Sequence, residues 1–301
     1  MNAKNVTVII PTLNEEKGIG EVVESFKNLG FDVLVIDGNS KDRTREIARE
    51  KGARVVLQTG KGKGNAIAEA FKLVDSEIVV LVDGDGSYPA EEVWKLLEPI
   101  EKGVAEHVVG NRFAKYEKGA FTRLNLFGNK LINLFFRFAY GVELTDILSG
   151  YRAIKKDVYK SIEIRKSGFE VEAELTVETL AKGFKIVEVP ISYRKREGKT
   201  KLRPIRDGLR IGKAIYELIG RYSPARYLYI FGLILVLIGF AIGCYVVYAW
   251  LNAVSHYMLA LLTVLFAITG VQFLVIGLVA DLIFRVTIEF RREIRQTFKK
   301  G

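Results

Sequence analysis

Along the first 110 residues, short apolar runs alternate with stretches whose apolar positions recur every three or four residues. The runs near 6–10, 32–36, 53–57 and 77–82 fit strands, and the stretches near 18–29, 42–51, 63–74 and 90–102 fit amphipathic helices. Such a βαβ series predicts a mostly parallel sheet built by right-handed crossovers, with its loops gathered at one edge. Val79–Val82 is an unbroken apolar run, as expected of a strand covered on both faces. Further strands are expected at 105–109 and 184–188, and a helix opens in "GFEVEAEL" (168–175).

Past residue 204 the pattern changes. Residues 205–221 set Ile205, Leu209, Tyr216 and Ile219 on one side of a helix and Arg206, Arg210, Lys213 and Arg221 on another, as in a helix lying at a membrane interface. Residues 227–250 carry no charge and exceed the roughly 20 residues that cross a bilayer. A second span, 258–283, has Asp281 as its only charge, and Asp281 reads either as functional or as an interfacial residue that reaches water. These spans predict a transmembrane hairpin. Arg221 and Arg226 precede it, Arg285, Arg291, Arg292, Arg295, Lys299 and Lys300 follow it, and the connection "LNAVSHY" has no basic residue, so both ends are expected in the cytoplasm. Gly232, Gly239, Gly243 and Gly277 either face lipid, pack within the hairpin or meet another copy, which leaves a homo-oligomer open. The expected division is an α/β domain over 1–203, an interfacial helix over 204–226, and two membrane helices with a basic tail over 227–301.

Composition narrows the partners. The chain has 301 residues, of which 49% are hydrophobic, so it can fill a folded core, and its net charge of +10 points to an anionic partner. Nucleic acid, phospholipid headgroups and phosphorylated substrates all qualify on charge alone. The one cysteine, Cys244, forms no intramolecular disulfide and no thiolate metal cluster. The first residues, MNAKNVTVII, run directly into a strand pattern without the basic, apolar and small-residue series of a secretory signal.

Candidate chemistry gathers where the strands end: "PTLNEE" (11–16), "DGNSKDRT" (37–44) and "DGDGSYP" (83–89). Ligands of open α/β sheets bind at that edge. Asp83 and Asp85, on alternate residues with small Gly84 and Gly86 between and after them, suit a hard divalent cation, Mg2+ or Mn2+. "TGKGKGNAI" (59–67) reads either as a glycine loop approaching a phosphate, with Lys61 and Lys63, or as a plain glycine turn opening a helix. The stretch 118–141, rich in aromatics with Arg123, Lys130 and Arg137, fits either a buried helix or one on a membrane surface. The cationic run "SYRKREGKTKLRP" (192–204) is either solvated or a phosphate site near the bilayer.

In order, "PTLNEE", "IDGNSKDRT", "GKGNAI", "DGDGSYP", "GNRF", "DILSGYRA", "GFEVEAEL" and "YRKREGKTKLRP" resemble the dolichyl-phosphate sugar synthases, membrane-associated family 2 glycosyltransferases of the GT-A fold. The likeness spans the whole soluble part, and "DGDGSY" with "LRPIRDG" looks closest to archaeal members that load a UDP-activated hexose onto dolichyl phosphate for N-glycan assembly. The resemblance implies that Pro11, Leu13, Glu15, Asp37, Lys63 and Asp83 hold the nucleotide, and that Asp83, Asp85 and Ser87 surround the metal. It implies that Arg112, Arg123, Arg152, Arg194 and Lys201 grip the acceptor phosphate or the diphosphate, with Asp85, Arg112, Arg123 and Arg152 as the catalytic set. Glu172 and Glu174 would contact sugar hydroxyls or pair with these arginines. Mannose synthases commonly carry Gln where this chain has Ser87, which favours a UDP-hexose over GDP-mannose as donor. The implied reaction inverts the anomeric carbon and is carried out at the cell membrane with dolichyl or polyprenyl phosphate as acceptor, without nucleic acid. A chain-extending polysaccharide synthase would show a Q-x-x-R-W motif and more spans. A membrane scaffold that has lost its chemistry would not need the Asp83 and Asp85 pair.

Overall fold

The computed structural model describes residues 3–140, 143–166, 168, 170–196, 208–214, 216–217 and 225–298. The chain divides into two compact units, Met1–Tyr216 and Glu217–Gly301.

In the first unit the order is β1 (Val6–Thr12), α1 (Ile19–Asn28), β2 (Asp32–Asp37), α2 (Thr44–Glu50), β3 (Arg54–Leu57), α3 (Lys63–Leu73) and β4 (Ile78–Leu81). Then come α4 (Val93–Glu101), β5 (His107–Tyr116), α5 (Arg123–Tyr140), β6 (Arg152–Lys155), α6 (Lys156–Tyr159), α7 (Val171–Ala181) and β7 (Ile186–Tyr193). One seven-stranded sheet results, ordered β3-β2-β1-β4-β6-β5-β7. Strands β1 to β4 pair in parallel, as the βαβ pattern predicts. The sheet is mostly parallel, as expected, with β5 and β7 also pairing in parallel, and the exception is β6, which runs antiparallel to both β4 and β5. Its four residues, Arg152 to Lys155, are too few to show an alternation, and Ala153 and Ile154 become core only in the slot between those two strands. This reversal brings Arg152, the first residue of β6, level with Leu81 at the end of β4.

The alternation along the strands sorts side chains between two helical layers. Val6, Val8 and Ile10 of β1 and Val33 and Val35 of β2 join Phe26, Leu96 and Leu97 from α1 and α4. Ile9, Leu34 and Ile36 face the other way, onto Ile67, Ala70 and Phe71 of α3 and Leu175 of α7. The two readings of residues 118–141 divide by face: Phe136 of α5 is buried, while Leu124, Phe127, Leu131 and Leu134 are exposed. Within the expected interfacial segment, 208–214 and 216–217 are helical, with Ile211 and Ala214 buried and Leu209 and Tyr216 exposed. Ile205 and Ile219 lie outside the described residues.

The second unit contains two long helices, Ala225–Leu251 and Tyr257–Phe298. Their apolar stretches, Tyr227–Leu251 and Tyr257–Phe284, are long and apolar enough to cross a membrane, with mean hydropathies of 2.7 and 2.5. The glycines face the other helix of the hairpin. A Cβ on Gly232 would lie 2.7 Å from the Gly270 carbonyl oxygen, and one on Gly243 would lie 3.0 Å from Thr263 Cγ2.

Candidate active site

The carboxyl ends of β1, β2 and β4 and the start of β6 share one edge of the sheet. The loops after β1 and β2 interlock there. Asn14 N–H donates to Ser40 Oγ at 2.8 Å, Lys41 N–H donates to Asn14 Oδ1 at 2.8 Å, and Glu15 N–H donates to Thr44 Oγ1 at 2.8 Å. Asn14 and Asn39 both adopt positive φ, 51° and 66°, a region that asparagine tolerates better than other side chains. Asp37 is buried beneath these loops and organises them: Ser40 N–H donates to Oδ2 at 2.8 Å, and the Ser40 and Thr12 hydroxyls donate to Oδ1 at 2.5 and 3.2 Å. Leu13 is exposed, and half-buried Pro11 packs with Lys63, Asp83, Gly150, Arg152 and Glu172 around a gap too small to admit water.

Two carboxylates leave β4, and each meets its own cation. Lys63 Nζ, at the start of α3, lies 2.6 Å from Asp83 Oδ1 and 2.6 Å from Glu172 Oε1 of α7. Burial alone would draw the Lys63 pKa down, but the Asp83 and Glu172 charges outweigh it and raise it. Burial likewise pushes Asp83 up, and Lys63, followed by Arg112 and Arg196, holds it below the usual carboxylate range. Asp85 Oδ2 lies 3.4 Å from Arg196 Nε, and Arg196 Nη2 lies 3.1 Å from Glu15 Oε1. Fully buried Ser87 donates its hydroxyl to Asp85 Oδ1 at 2.5 Å and its N–H to the same oxygen at 3.1 Å, so it fixes the carboxylate.

The surrounding backbone is close-packed. A Cβ on Gly18 would sit 2.8 Å from the Asp85 carbonyl carbon, and one on Gly150 would sit 2.7 Å from Asp83 Oδ2. Gly150 belongs to the loop 145–151, which several elements pin. Glu188 of β7 accepts from the N–H groups of Thr145 and Asp146 at 2.8 and 2.6 Å, and Gly150 N–H donates to Tyr88 Oη at 3.0 Å. Asp146 in turn grips Arg112 by a two-pronged pair, Nε to Oδ2 at 2.8 Å and Nη2 to Oδ1 at 2.7 Å. The Arg112 guanidinium also lies over the rings of Phe121 and Tyr193, 5.5 Å from each centroid.

The other expected phosphate ligands scatter. Arg123 is exposed at the start of α5, Arg194 is half exposed with Nη1 3.7 Å from Glu21, and Lys201 lies outside the described residues. Arg152 is fully buried, Nε donates to Ser149 O and Nη1 to Thr176 Oγ1, both at 2.8 Å, and Nη2 donates to Ile147 O, so its fork holds the neighbouring loop and helix. Of the two glutamates, Glu172 pairs with Lys63, while Glu174 accepts from the N–H groups of Arg165 and Lys166. The glycine loop after β3 also changes meaning. Glu69 of α3 accepts from Thr59 N–H at 2.9 Å and Gly60 N–H at 2.9 Å, so a carboxylate of the chain itself takes donors that a phosphate would use. Sequence reasoning missed Arg196 and Asp146. Arg196 was one cation among many in a basic run, whereas Asp146 sat within a recognised motif, unassigned.

Residues 7–163 match the family model described as glycosyl transferase family 2. The chain is a family 2 glycosyltransferase. Among relatives of this glycosyltransferase, the glycosyltransferase AglJ of Haloferax volcanii is 38% identical over 296 residues, covering 97% of each chain. A dolichyl-phosphate hexose transferase of the same organism is 37% identical over 219 residues, 71% of this chain and 93% of the relative. Among solved structures, glucosyl-3-phosphoglycerate synthase from Mycobacterium tuberculosis, in complex with Mn2+, UDP-glucose and phosphoglyceric acid, matches with a TM-score of 0.59 at 25% identity, covering 72% of this chain and 80% of that one. Among the described residues of this glycosyltransferase, no three His, Cys, Asp or Glu side chains form a metal cage. Asp83 and Asp85 fit a hard divalent ion that draws its remaining oxygen ligands from substrate phosphate and water.

Proposed function

We propose that this glycosyltransferase moves a hexose from a UDP-sugar to dolichyl or another polyprenyl phosphate, with inversion at the anomeric carbon. The observation that carries this reading is the Asp83 and Asp85 pair at the sheet edge, each carboxylate facing a cation, in a chain similar over most of its length to a dolichyl-phosphate hexose transferase. Asp85, with Asp83 beside it, would hold Mg2+ or Mn2+, which supplies charge neutralisation for the departing diphosphate. The interlocked loops after β1 and β2, with Pro11, Leu13, Glu15 and Asp37, form the nucleotide side. Asp37 serves there by fixing the loops, and Lys63 by keeping Asp83 ionised and in place.

A phosphate monoester has a second pKa of about 6, so the acceptor oxygen is already anionic near neutrality and needs no base. The remaining task is to bring two anions together, which calls for positioning and positive charge. Arg112, oriented by Asp146 and the aromatic rings, and Arg196, at the edge of the carboxylate pair, are the guanidiniums best placed by their neighbours to do this, with Arg123 and Arg194 at the exposed rim. The apolar face of α5, on a helix that also carries Arg123, Lys130 and Arg137, suits a bilayer surface where a polyprenyl phosphate resides. In this arrangement the hairpin spans the cell membrane, and the catalytic domain and C-terminus face the cytoplasm.

The test uses the purified full chain with Mn2+, polyprenyl phosphate and a panel of UDP- and GDP-sugars, the lipid product being identified by mass spectrometry. A hexose-phosphate lipid formed from a UDP-sugar is expected, and Asp85→Ala should lower its formation by about a hundredfold or more, the scale of removing a principal electrostatic contributor. Transfer from GDP-mannose alone would overturn the donor, and transfer only to glycan or protein would overturn the acceptor.

A further inference from the structure

Helix α7 is buried along nearly its whole length, yet three of its polar residues, Glu172, Thr176 and Thr179, recur at a spacing of four and then three. Such a stripe shares one helix face. Glu172 reaches Lys63, Thr176 reaches Arg152, and Thr179 reaches His107 of β5, a fully buried histidine that the proposed chemistry does not use.

The direction of each hydrogen bond follows from its partners. The Thr179 hydroxyl donates to the Leu175 carbonyl at 2.6 Å, so toward His107 it accepts, and His107 Nδ1, 2.8 Å away, carries the proton. His107 Nε2 is therefore bare and faces Arg152 Nη1 at 3.4 Å, where it accepts. The same logic applies one turn earlier: Thr176 donates to the Glu172 carbonyl at 2.9 Å and accepts from Arg152 Nη1 at 2.8 Å. Burial, then the Arg152 charge, drives the His107 pKa well below its ordinary value, which agrees with a neutral ring. Arg152 makes no salt bridge among the described residues, and it is held by neutral acceptors on three sides: two loop carbonyls, a threonine and this imidazole.

We infer that His107 is a positioning residue: as a neutral acceptor it fixes the Arg152 guanidinium, and through it the loop 147–149 that presents Asp146 to Arg112 and Gly150 to Asp83. Arg152 donates to the carbonyls of Ile147 and Ser149, which lie on either side of the loop's tip. One end of that loop carries the carboxylate that aims Arg112, and the other end carries the glycine packed on the Asp83 carboxylate. Fixing Arg152 therefore sets both halves of the site from behind, without His107 touching substrate.

The inference concerns the loop and uses the proposed function only for its kinetic readout, so two measurements are paired on the full chain. His107→Phe keeps the ring and removes both hydrogen bonds, whereas His107→Gln keeps an acceptor near the Nε2 position. Amide hydrogen exchange at residues 145–151 should speed up by about tenfold or more in His107→Phe, the scale of one orphaned buried donor, and return to within about threefold of the parent in His107→Gln. Exchange in β1 and β2 should stay unchanged. Transfer to polyprenyl phosphate per folded molecule, measured well below the melting temperature, should follow the same order, with kcat reduced more than the KM for nucleotide sugar is raised. Unchanged exchange at 145–151 in His107→Phe, or no recovery in His107→Gln, would overturn the inference. Should the parent enzyme transfer nothing to polyprenyl phosphate, the proposed function fails while the exchange result still decides the role of His107.

Discussion

Gly150 is a position where one methyl group separates a working site from a displaced one. Its hydrogen faces Asp83 Oδ2, and an added Cβ at 2.7 Å would turn the carboxylate away from Lys63. Gly150→Ala is expected to lower transfer by about tenfold while shifting the melting temperature by no more than a few degrees, since a flexible side chain yields before the backbone does. Gly128→Ala in α5, where the added methyl meets nothing within 4 Å, is the matched control and should be neutral or slightly stabilising by helix propensity. Asp146→Asn tests the other side. It leaves the Arg112 guanidinium without its charge partner in a nearly closed setting, and unfolding should show a loss of about 3 kcal/mol, the scale of breaking one side of a buried pair. Arg112→Lys should not rescue activity, because an ammonium cannot make the two-pronged contact or stack on Phe121 and Tyr193.

Among the elements, the loop between β3 and α3 behaves as a pre-filled anion nest. Hydrogen bonds from Thr59 and Gly60 lower the Glu69 pKa against a burial effect that raises it. A depressed folded pKa means that this stabilisation is fully present above the unfolded value near 4.5 and is lost as pH falls through the folded one. Protection of the amides at residues 59–62, relative to their intrinsic exchange rates at each pH, should therefore fall below about pH 4.5 in the parent, while Glu69→Gln should be less protected already at neutral pH and show a flatter acid response. Much of the fold was legible because β1 to β4 and their helices carry full alternations or helical periods. The short β6 was not, since four residues hold no period and its burial is decided by β4 and β5. The carboxylate pair was legible from "DGDGSYP" alone. The partners of Ser87 and Arg152 were not, because a hydroxyl or guanidinium reads the same in sequence whatever it bonds to. Only the positions of Asp85 for one, and of Thr176 and His107 for the other, supply them.

For the whole molecule, the net charge of +10 and the bare apolar face of α5 bear on the same question of where the enzyme works. Phe127→Glu with Leu131→Glu should weaken binding of α5 to anionic vesicles without changing the fold. The measurement is lipid protection of α5 in hydrogen exchange on the full chain, and equal protection in parent and variant would exclude that helix from the membrane. The sheet order has a further consequence, one of time. Strands β1, β2 and β3 pair with their neighbours in sequence, whereas β4 reaches back to β1, β7 closes onto β5 across the long intervening chain, and β6 lies between β4 and β5. Local pairings form faster than distant ones. During refolding, pulse-labelled amides of β1 and β2 should become protected before those of β5 and β7. The nucleotide-side loops would then exist as a folded platform before Arg112 and Asp146 meet, and the enzyme would acquire its grip on the donor before it acquires the means to use it.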